Sequence, residues 1–342
     1  MTTFNRRSFL QFTAACGAAA GGVSLAAPAV FAKSEPLKLK FGNDLPDSHS
    51  VNVRLREAIA AISAETDGAL DISLFPNNQL GSDPDMMSQL RSGALELATM
   101  PGTVLSTILP ITALTGVGFA FTSYDKVWAA MDGAVGDLIR SNLVKANLVG
   151  FDKVWDNGFR QITSSTRPIR EPGDLAGFKI RVPLVPLWVS MFSAFGASPV
   201  SIPLAEAYSA LQTKIADGQE NPLALIYTAK FFEVQKYCSL TNHAWDGFWL
   251  LASGKVWKSV PDDLKQVMAK HFNAAATKQR ADIVKANQTL QADLEAKGLV
   301  FNTTNAEVFQ QALAKTSFYK DARAKFGDDA WNLLQKFAGP VG

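Results

Sequence analysis

The sequence predicts an α/β protein of two lobes, joined by one long helix that spans both. Strand and helix patterns alternate in two successive sets along the 342-residue chain, of which 47% is hydrophobic. That is enough to bury two cores of ordinary domain size. A stretch at 262–297 without glycine or proline then follows, and it predicts a helix longer than one lobe requires.

The first set begins with strands at 37–41, 70–75 and 95–100, where apolar residues either alternate with polar ones or form a short run. A helix follows the first strand. A second helix is predicted to begin at Asp83 as its N-cap and to end at Gly93, which favours a helix C-terminus. Alternating strands and helices indicate a largely parallel sheet, with loops for a ligand at the carboxyl ends of its strands.

The second set has extended segments at 149–155, 159–163 and 178–182 and a helix at 204–213. The unbroken helix at 262–297 would measure about 55 Å. No linker separates the sets, so we expect the lobes to be interleaved. Lobe I comprises 33–157 and 247–285, and lobe II comprises 158–246 and 286–342.

Residues 1–32 are predicted to be a twin-arginine export signal. Arg6 and Arg7 precede an Ala- and Gly-rich run with no acidic residue, and we expect the mature chain to begin at Lys33. A membrane anchor is the alternative, but the run lacks the roughly 20 strongly apolar residues that a spanning helix needs. Cys16 is a weak lipoprotein candidate, because no Leu-led box precedes it.

Cleavage would remove two of the 33 basic residues and leave 31 against 31 acidic ones. This balance excludes a nucleic-acid partner of the usual basic kind. It would also leave Cys238 as the only cysteine, so packing rather than disulfides must stabilise the mature protein.

Catalytic and metal-binding signatures are absent from the sequence. It contains no His-Glu-x-x-His helix, no Gly-x-Ser-x-Gly elbow and no nucleotide-binding glycine loop. We therefore expect no cofactor and no metal. Cys238 and His243 could form a nucleophile and base, but a buried cysteine beside a structural histidine is the simpler interpretation.

Two arginines are candidates for an anion site. Arg181 lies in the predicted strand at 178–182, on the face opposite Phe178 and Ile180. Taken alone, such a face is usually solvated. Arg160 follows a Gly-Phe pair, and taken alone it too is more often a solvated residue than an anion site.

Five segments resemble the dicarboxylate-binding-protein family of tripartite ATP-independent periplasmic (TRAP) transporters. The order and spacing match over nearly the whole mature chain, and the Asp-Gly-Gln-Glu-Asn-Pro block is the most specific part. The segments are 78–81, 157–163, 177–183, 210–222 and 241–243. The resemblance implies a two-lobed periplasmic binding protein, a type II-like clamp that closes on its ligand.

The resemblance also implies the site. Arg181 is expected to grip a ligand carboxylate as a bidentate fork, with Arg160 and Asn221 assisting. The remaining positions expected at the ligand are Asn43, Asp44, Trp155, Trp188, Leu204 and His243. Asp44 would accept hydrogen bonds from a hydroxyl and repel a second carboxylate.

We therefore expect a non-catalytic binding protein that delivers a small hydroxylated monocarboxylate to the membrane subunits of a TRAP transporter. A short sugar acid, a branched hydroxy acid or a hydroxylated aromatic acid would fit. The alternatives are a C4-dicarboxylate or uronate as ligand, a periplasmic enzyme acting on organic acids, or a binding subunit that serves a signalling protein.

Overall fold

The computed structural model describes residues 35–342, so the predicted export signal at 1–32 lies outside the described residues. Two six-stranded sheets organise this part of the chain. The strands are β1 Leu37–Gly42, β2 Leu70–Phe75, β3 Leu97–Pro101, β4 Leu148–Gly150, β5 Trp155–Phe159, β6 Gln161–Ser164, β7 Lys179–Val182, β8 Ser198–Ser201, β9 Gly218–Asn221, β10 Tyr237–Leu240, β11 Trp245–Ser253 and β12 Val300–Thr303.

Helices cover both sheets. They are α1 Ser50–Glu65, α2 Asp83–Ser92, α3 Gly102–Leu105, α4 Tyr124–Met131, α5 Ala134–Leu143, α6 Pro186–Ala194, α7 Leu204–Gln212, α8 Leu223–Thr228, α9 Gly254–Trp257, α10 Asp262–Ala286, α11 Leu290–Ala296, α12 Ala306–Ala314, α13 Phe318–Phe326 and α14 Asp328–Ala338. The predicted class, an α/β clamp of two lobes, is confirmed by these two sheets and their helices.

The first sheet has the order β2-β1-β3-β11-β4, and β5 also pairs with β11. β1 is parallel to β2 and β3, whereas β11 is antiparallel to its partners. Leu39 and Phe41 of β1 are buried against α1 and α10, as their alternation with polar residues predicts. β1 and β3 therefore run toward the same edge of this sheet, where Gly42 at the end of β1 pairs with Ala98 near the start of β3.

The second sheet has the order β12-β10-β6-β9-β7-β8. β7 is parallel to both of its neighbours, β8 and β9. Ile180 and Val182 of β7 are completely buried in the core. Because side chains alternate along a strand, Arg181 between them points to the other face.

The chain crosses between the sheets three times, and two of these crossings are adjacent. β5 ends at Phe159 and β6 begins at Gln161, so Arg160 is the single residue between these two strands of different sheets. β10 and β11 flank the return crossing, and the Arg160 amide donates to the carbonyl of Ala244 within it at 2.9 Å. The two crossings thus run side by side and fix Arg160 between the lobes. The exact lobe limits given above stay a prediction.

The prediction of one unbroken helix over 262–297 is wrong. α10 is 25 residues long, about 38 Å, and residues 287–289 form turns before α11 begins. α10 buries Phe272 against the first lobe, whereas α11 buries Leu294 in a cluster of the second lobe. One straight helix cannot present its apolar stripe to both surfaces, and Asn287 and Thr289 are weak helix formers.

The predicted N-cap of α2 is wrong by one residue. The carboxylate of Asp85 accepts hydrogen bonds from the amide of Ser82 at 2.9 Å and from its hydroxyl at 2.6 Å. Ser82 is therefore the capping residue. Asp83, the first residue of the helix, is left with a side chain that does not serve the cap.

Candidate ligand-binding site

A small cavity of about 30 Å³ lies between the two sheets. Its walls come from the loops after β1 and β7, from helices α2, α3, α7 and α8, from residues of β3, β5, β7, β9 and β11, and from Arg160 between β5 and β6. The polar lining residues are Asp44, Asp83, Thr103, Asn157, Arg160, Arg181, Asn221 and Asp246, and the apolar ones include Val104, Leu184, Leu204, Leu225 and Phe248.

Arg181 brings a buried cation with free donors to this cavity. Its side chain is 1% exposed, and Nε donates to the carbonyl of Ile202 at 2.8 Å. Nη2 has no hydrogen-bond partner among residues 35–342. Burial lowers the pKa of Arg181 to about 10, so the guanidinium stays charged at neutral pH. The solvated strand face that the sequence alone allowed is excluded, and an anion can dock on this guanidinium.

Arg160 also lines the cavity, but its guanidinium is already paired. Nε donates to Glu220 Oε2, and Nη2 donates to Glu220 Oε1 at 3.0 Å. Nη2 also donates to the side-chain oxygen of Asn221 at 2.8 Å. The ring of Trp188 lies 4.5 Å from the Arg160 guanidinium carbon, measured to the ring centroid. Arg160 is therefore neutralised and oriented by the protein itself, unlike Arg181.

His243 also contacts the Glu220 carboxylate of this ion pair. Its Nε2 lies 3.1 Å from Glu220 Oε2, and its Nδ1 lies 2.7 Å from the hydroxyl of Thr241. Burial lowers the pKa of His243, which favours the neutral ring with a proton on Nε2. Burial opposes ionisation of Glu220, yet the charge of Arg160 and the hydrogen bond from His243 hold the pKa of Glu220 below its usual value. The result is an ionised, fully bonded Glu220.

Three carboxyl groups also line the cavity. They belong to Asp44, Asp83 and Asp246, and each is at least nine-tenths buried. Burial raises the pKa of Asp44 and of Asp246 to about 6 and that of Asp83 well above its usual value. Asp246 accepts a hydrogen bond from the hydroxyl of Thr103 at 2.8 Å. The cavity therefore combines the cationic Arg181 with three buried carboxyl groups.

Five of the sequence-predicted residues line the cavity, namely Asp44, Arg160, Arg181, Leu204 and Asn221. Four do not, and each has another environment. The Asn43 side chain donates a hydrogen bond from Nδ2 to Asn52 Oδ1 at 2.7 Å, and its Oδ1 accepts one from the backbone amide of Leu45 at 3.0 Å. Asn43 therefore shapes the loop that contains Asp44.

The two tryptophans and the histidine lie behind the wall. Trp188 donates to the carbonyl of Gly116 at 2.8 Å and stacks under Arg160. Trp155 is buried in the core of the first lobe. His243 supports Glu220, as described above. These three residues lie outside the cavity lining.

Sequence reasoning missed Asp83 and Asp246. Asp246 had a usable signal, because it is an acidic residue in β11, a strand whose residues are otherwise apolar or small and are all buried. A buried charge in such a strand needs a partner or a function. Asp83 was assigned to helix capping, which concealed it.

The fold and the cavity define a two-lobed, clamp-type binding protein with a buried, charged arginine in the cavity wall. The model of the bacterial extracellular solute-binding protein family 7 matches residues 41–322, and the chain belongs to this family. The resemblance to the binding proteins of TRAP transporters is thereby confirmed.

The chain is similar to named relatives over most of its length. A solute-binding protein of Roseobacter denitrificans is 34% identical over 293 residues, which cover 84% of this chain and 88% of the relative. The galactonate complex of a sugar acid binding protein from Advenella mimigardefordensis has a TM-score of 0.85 and 28% identity, and the match covers 89% of this chain and 98% of that one.

A TRAP solute-binding protein from Sulfurospirillum deleyianum, with bound succinate, has a TM-score of 0.82 and 28% identity, covering 88% of this chain and 98% of that one. Within the part of the chain that the structure describes, no helix is long and apolar enough to cross a membrane.

Proposed function

We propose that this protein captures a small organic carboxylate in the cavity between its lobes, with Arg181 as the principal anchor. The observation that carries the proposal is the free Nη2 of a buried, charged guanidinium in the cavity wall. A planar, permanently charged fork matches a carboxylate in both charge and geometry. Arg160 and Asn221 would complete the anion pole, although most of their hydrogen bonds go to each other and to Glu220.

The favoured ligand is a hydroxylated monocarboxylate. The acidic residues Asp44, Asp83 and Asp246 offer acceptors to hydroxyl groups and would repel a second carboxylate. Leu184 and Leu204 supply apolar walls. The galactonate in one structural neighbour supports this class, whereas the succinate in another is the reason to keep a C4-dicarboxylate as the second candidate.

The setting that we propose is the periplasm, with delivery of the acid to the membrane subunits of a TRAP transporter. The predicted export signal and the extracellular character of the family support the location. The similarity to solute-binding proteins of TRAP transporters supports a TRAP transporter as the partner.

We propose binding without catalysis. Cys238, the one candidate nucleophile, is completely buried, and burial raises the pKa of its thiol. A protonated thiol in an apolar cluster is inert. Its neighbours in that cluster are apolar side chains such as Leu294 and Phe231.

A thermal-shift screen of the mature protein tests the function. Aldonates, branched hydroxy acids, uronates and C4-dicarboxylates are each added, and a ligand at about 100 times its Kd adds about 2.7 kcal/mol to the free energy of unfolding. We expect hydroxy monoacids to give the largest shifts. Stronger protection by succinate or malate than by every hydroxy monoacid would overturn the ligand class, and recovery of a converted acid by mass spectrometry would overturn binding without catalysis.

A further inference from the structure

The cavity lining contains more acid than unpaired base. Its basic residues are Arg160 and Arg181, and Arg160 is already paired with Glu220. Arg181 donates from Nε to a backbone carbonyl, and its Nη2 has no partner within residues 35–342. The acidic members of the lining are Asp44, Asp83 and Asp246. Three carboxyl groups therefore share the cavity with one guanidinium that lacks a carboxylate partner.

Two of these carboxyl groups are ionised at neutral pH. Burial raises the pKa of Asp44 and of Asp246 to about 6, which leaves both mostly charged at pH 7. Burial and the neighbouring charge of Asp44 raise the pKa of Asp83 well above its usual value. Even with Asp83 protonated, the carboxylates of the lining outnumber its unpaired cation.

Charge balance decides which ligands suit such a lining. A monocarboxylate bound to Arg181 adds another negative charge to a buried site that already has too many, and unmatched buried charge is costly. A zwitterion adds no net charge. Its carboxylate pairs with Arg181, and its cationic group compensates the carboxylates of the protein.

Asp44 and Asp83 have free acceptors for a cationic group. Oδ1 of Asp44 and Oδ1 of Asp83 are buried without a hydrogen-bond partner in the described part of the chain. Asp246 differs, because its carboxylate accepts from the hydroxyl of Thr103 at 2.8 Å and from the amide of Gly247 at 2.9 Å. The cavity has only about 30 Å³, so a ligand that fills it contacts its lining residues together.

We propose that the protein captures a small zwitterion, an amino acid or a similar acid, whose cationic nitrogen is held by Asp44 and Asp83 while Arg181 holds its carboxylate. This rests on the proposed function of Arg181 as carboxylate anchor, and it narrows the ligand class. An ammonium group donates hydrogen bonds as a hydroxyl does and also supplies the missing positive charge. Among acids without a cationic group, the hydroxy monoacids remain the favoured class.

Calorimetry of the full mature chain at pH 7 tests this with matched pairs of acids that differ in one group, hydroxyl or ammonium. The pairs are glycolate and glycine, L-lactate and L-alanine, β-hydroxypropanoate and β-alanine, and γ-hydroxybutyrate and γ-aminobutyrate. The series varies the distance between carboxylate and cation. The best acid of the thermal-shift screen and its amino analogue form a further pair, so a larger ligand is tested in the same way.

The amino member of at least one pair should bind at least about tenfold more tightly than its hydroxy partner, because hydrogen bonds between charged groups are stronger than neutral ones. Arg181→Ala should abolish binding of both members, as expected if the cation and the carboxylate occupy one site.

Two variants identify the carboxyl groups that hold the cation. Asp44→Asn and Asp83→Asn should each weaken the amino member by more than about tenfold and change the affinity for the hydroxy member by less than about threefold, since an amide accepts a hydrogen bond but has no charge. Asp71→Asn, at an exposed carboxylate of the same lobe, should keep the wild-type ratio. The wild-type ratio is decisive by itself if a variant does not fold.

Failure of this inference is distinguishable from failure of the proposed function. Tighter binding of the hydroxy member in every pair overturns the zwitterion and leaves Arg181 as anchor of a hydroxy acid. Tighter binding of an amino member with an unchanged ratio in Asp44→Asn and Asp83→Asn overturns the assignment of the cation to these residues. If no member of any pair and no acid of the screen binds the wild type, the proposed function fails and this inference fails with it.

Discussion

Glu220 holds Arg160 through both Nε and Nη2, at the point where the chain crosses between the sheets. The pair is almost completely buried, with side chains 0% and 3% exposed. Two arginines therefore line one cavity and differ in whether their guanidinium groups already have a protein counter-ion. Arg160 is a fixed part of the wall, and Arg181 is the cation that remains for an anion.

Arg181 should be the largest single determinant of affinity. Loss of a charge-assisted pair in a desolvated cleft costs about 2–5 kcal/mol, so Arg181→Ala should weaken binding of the best acid from the screen by more than about thirtyfold. Arg181→Lys should also bind the acid weakly, because the point charge of an ammonium group cannot replace the planar, two-pronged guanidinium. Calorimetry measures both. Lys179→Ala on the exposed end of the same strand is the matched control, and equal affinities in all four proteins would remove Arg181 from the site.

The Arg160–Glu220 pair should matter for stability. Glu220→Gln leaves Arg160 buried without its counter-ion, which costs about 3–5 kcal/mol in the free energy of unfolding. Urea unfolding at pH 7 measures the loss. Arg323→Ala breaks an exposed pair with Asp328, whose side chains are 50% and 72% exposed, and should cost no more than about 1 kcal/mol. A Glu220→Gln variant as stable as Arg323→Ala would contradict the buried pair's role.

The general architecture could be predicted from local pattern. Alternating apolar residues identified β1 and β2, and Gly93, with its left-handed backbone at φ 84°, ends α2 as predicted. The break between α10 and α11 could not be predicted, because it depends on which lobe each half of the helix meets. Uninterrupted helical periodicity contains no information about which lobe each half of the helix packs against.

The site was only half predictable for a related reason. Arg181 and Arg160 carried the same sequence signal, and the partner that distinguishes them, Glu220, is 60 residues from Arg160. Asp44 and Asp83 line the same cavity only because the first helix and second strand bring α2 back to the end of β1. Such long-range placement has no local signature, so the acidic part of the cavity lining emerges only from the fold.

Gln279 should anchor α10 to the first sheet. It is completely buried, its Oε1 accepts from the amide of Asp156 at 2.8 Å, and its Nε2 donates to the carbonyl of Asp156 at 2.8 Å. Gln279→Leu leaves both backbone groups unpaired, at about 1–3 kcal/mol each. Urea unfolding should show a loss of about 2–6 kcal/mol. Lys278→Leu, on the exposed face of the same helix, should change little, and a similar loss in both variants would refute the anchor.

Asp156 should make the protein less stable as pH rises. Burial raises its pKa to about 7, although Trp245 donates to Oδ1 at 2.9 Å, and Oδ2 has no partner in residues 35–342. Because the folded pKa exceeds the unfolded value near 3.9, the stabilising contribution is complete below about pH 4 and is lost as pH rises through about 7. Asp156→Asn cannot ionise, so relative to wild type it should gain about 2–3 kcal/mol between pH 5 and pH 8. Chemical unfolding at both pH values measures this gain, with Asp71→Asn as an exposed control; a difference between variant and wild type that is the same at pH 5 and pH 8 would show that Asp156 does not titrate in this range.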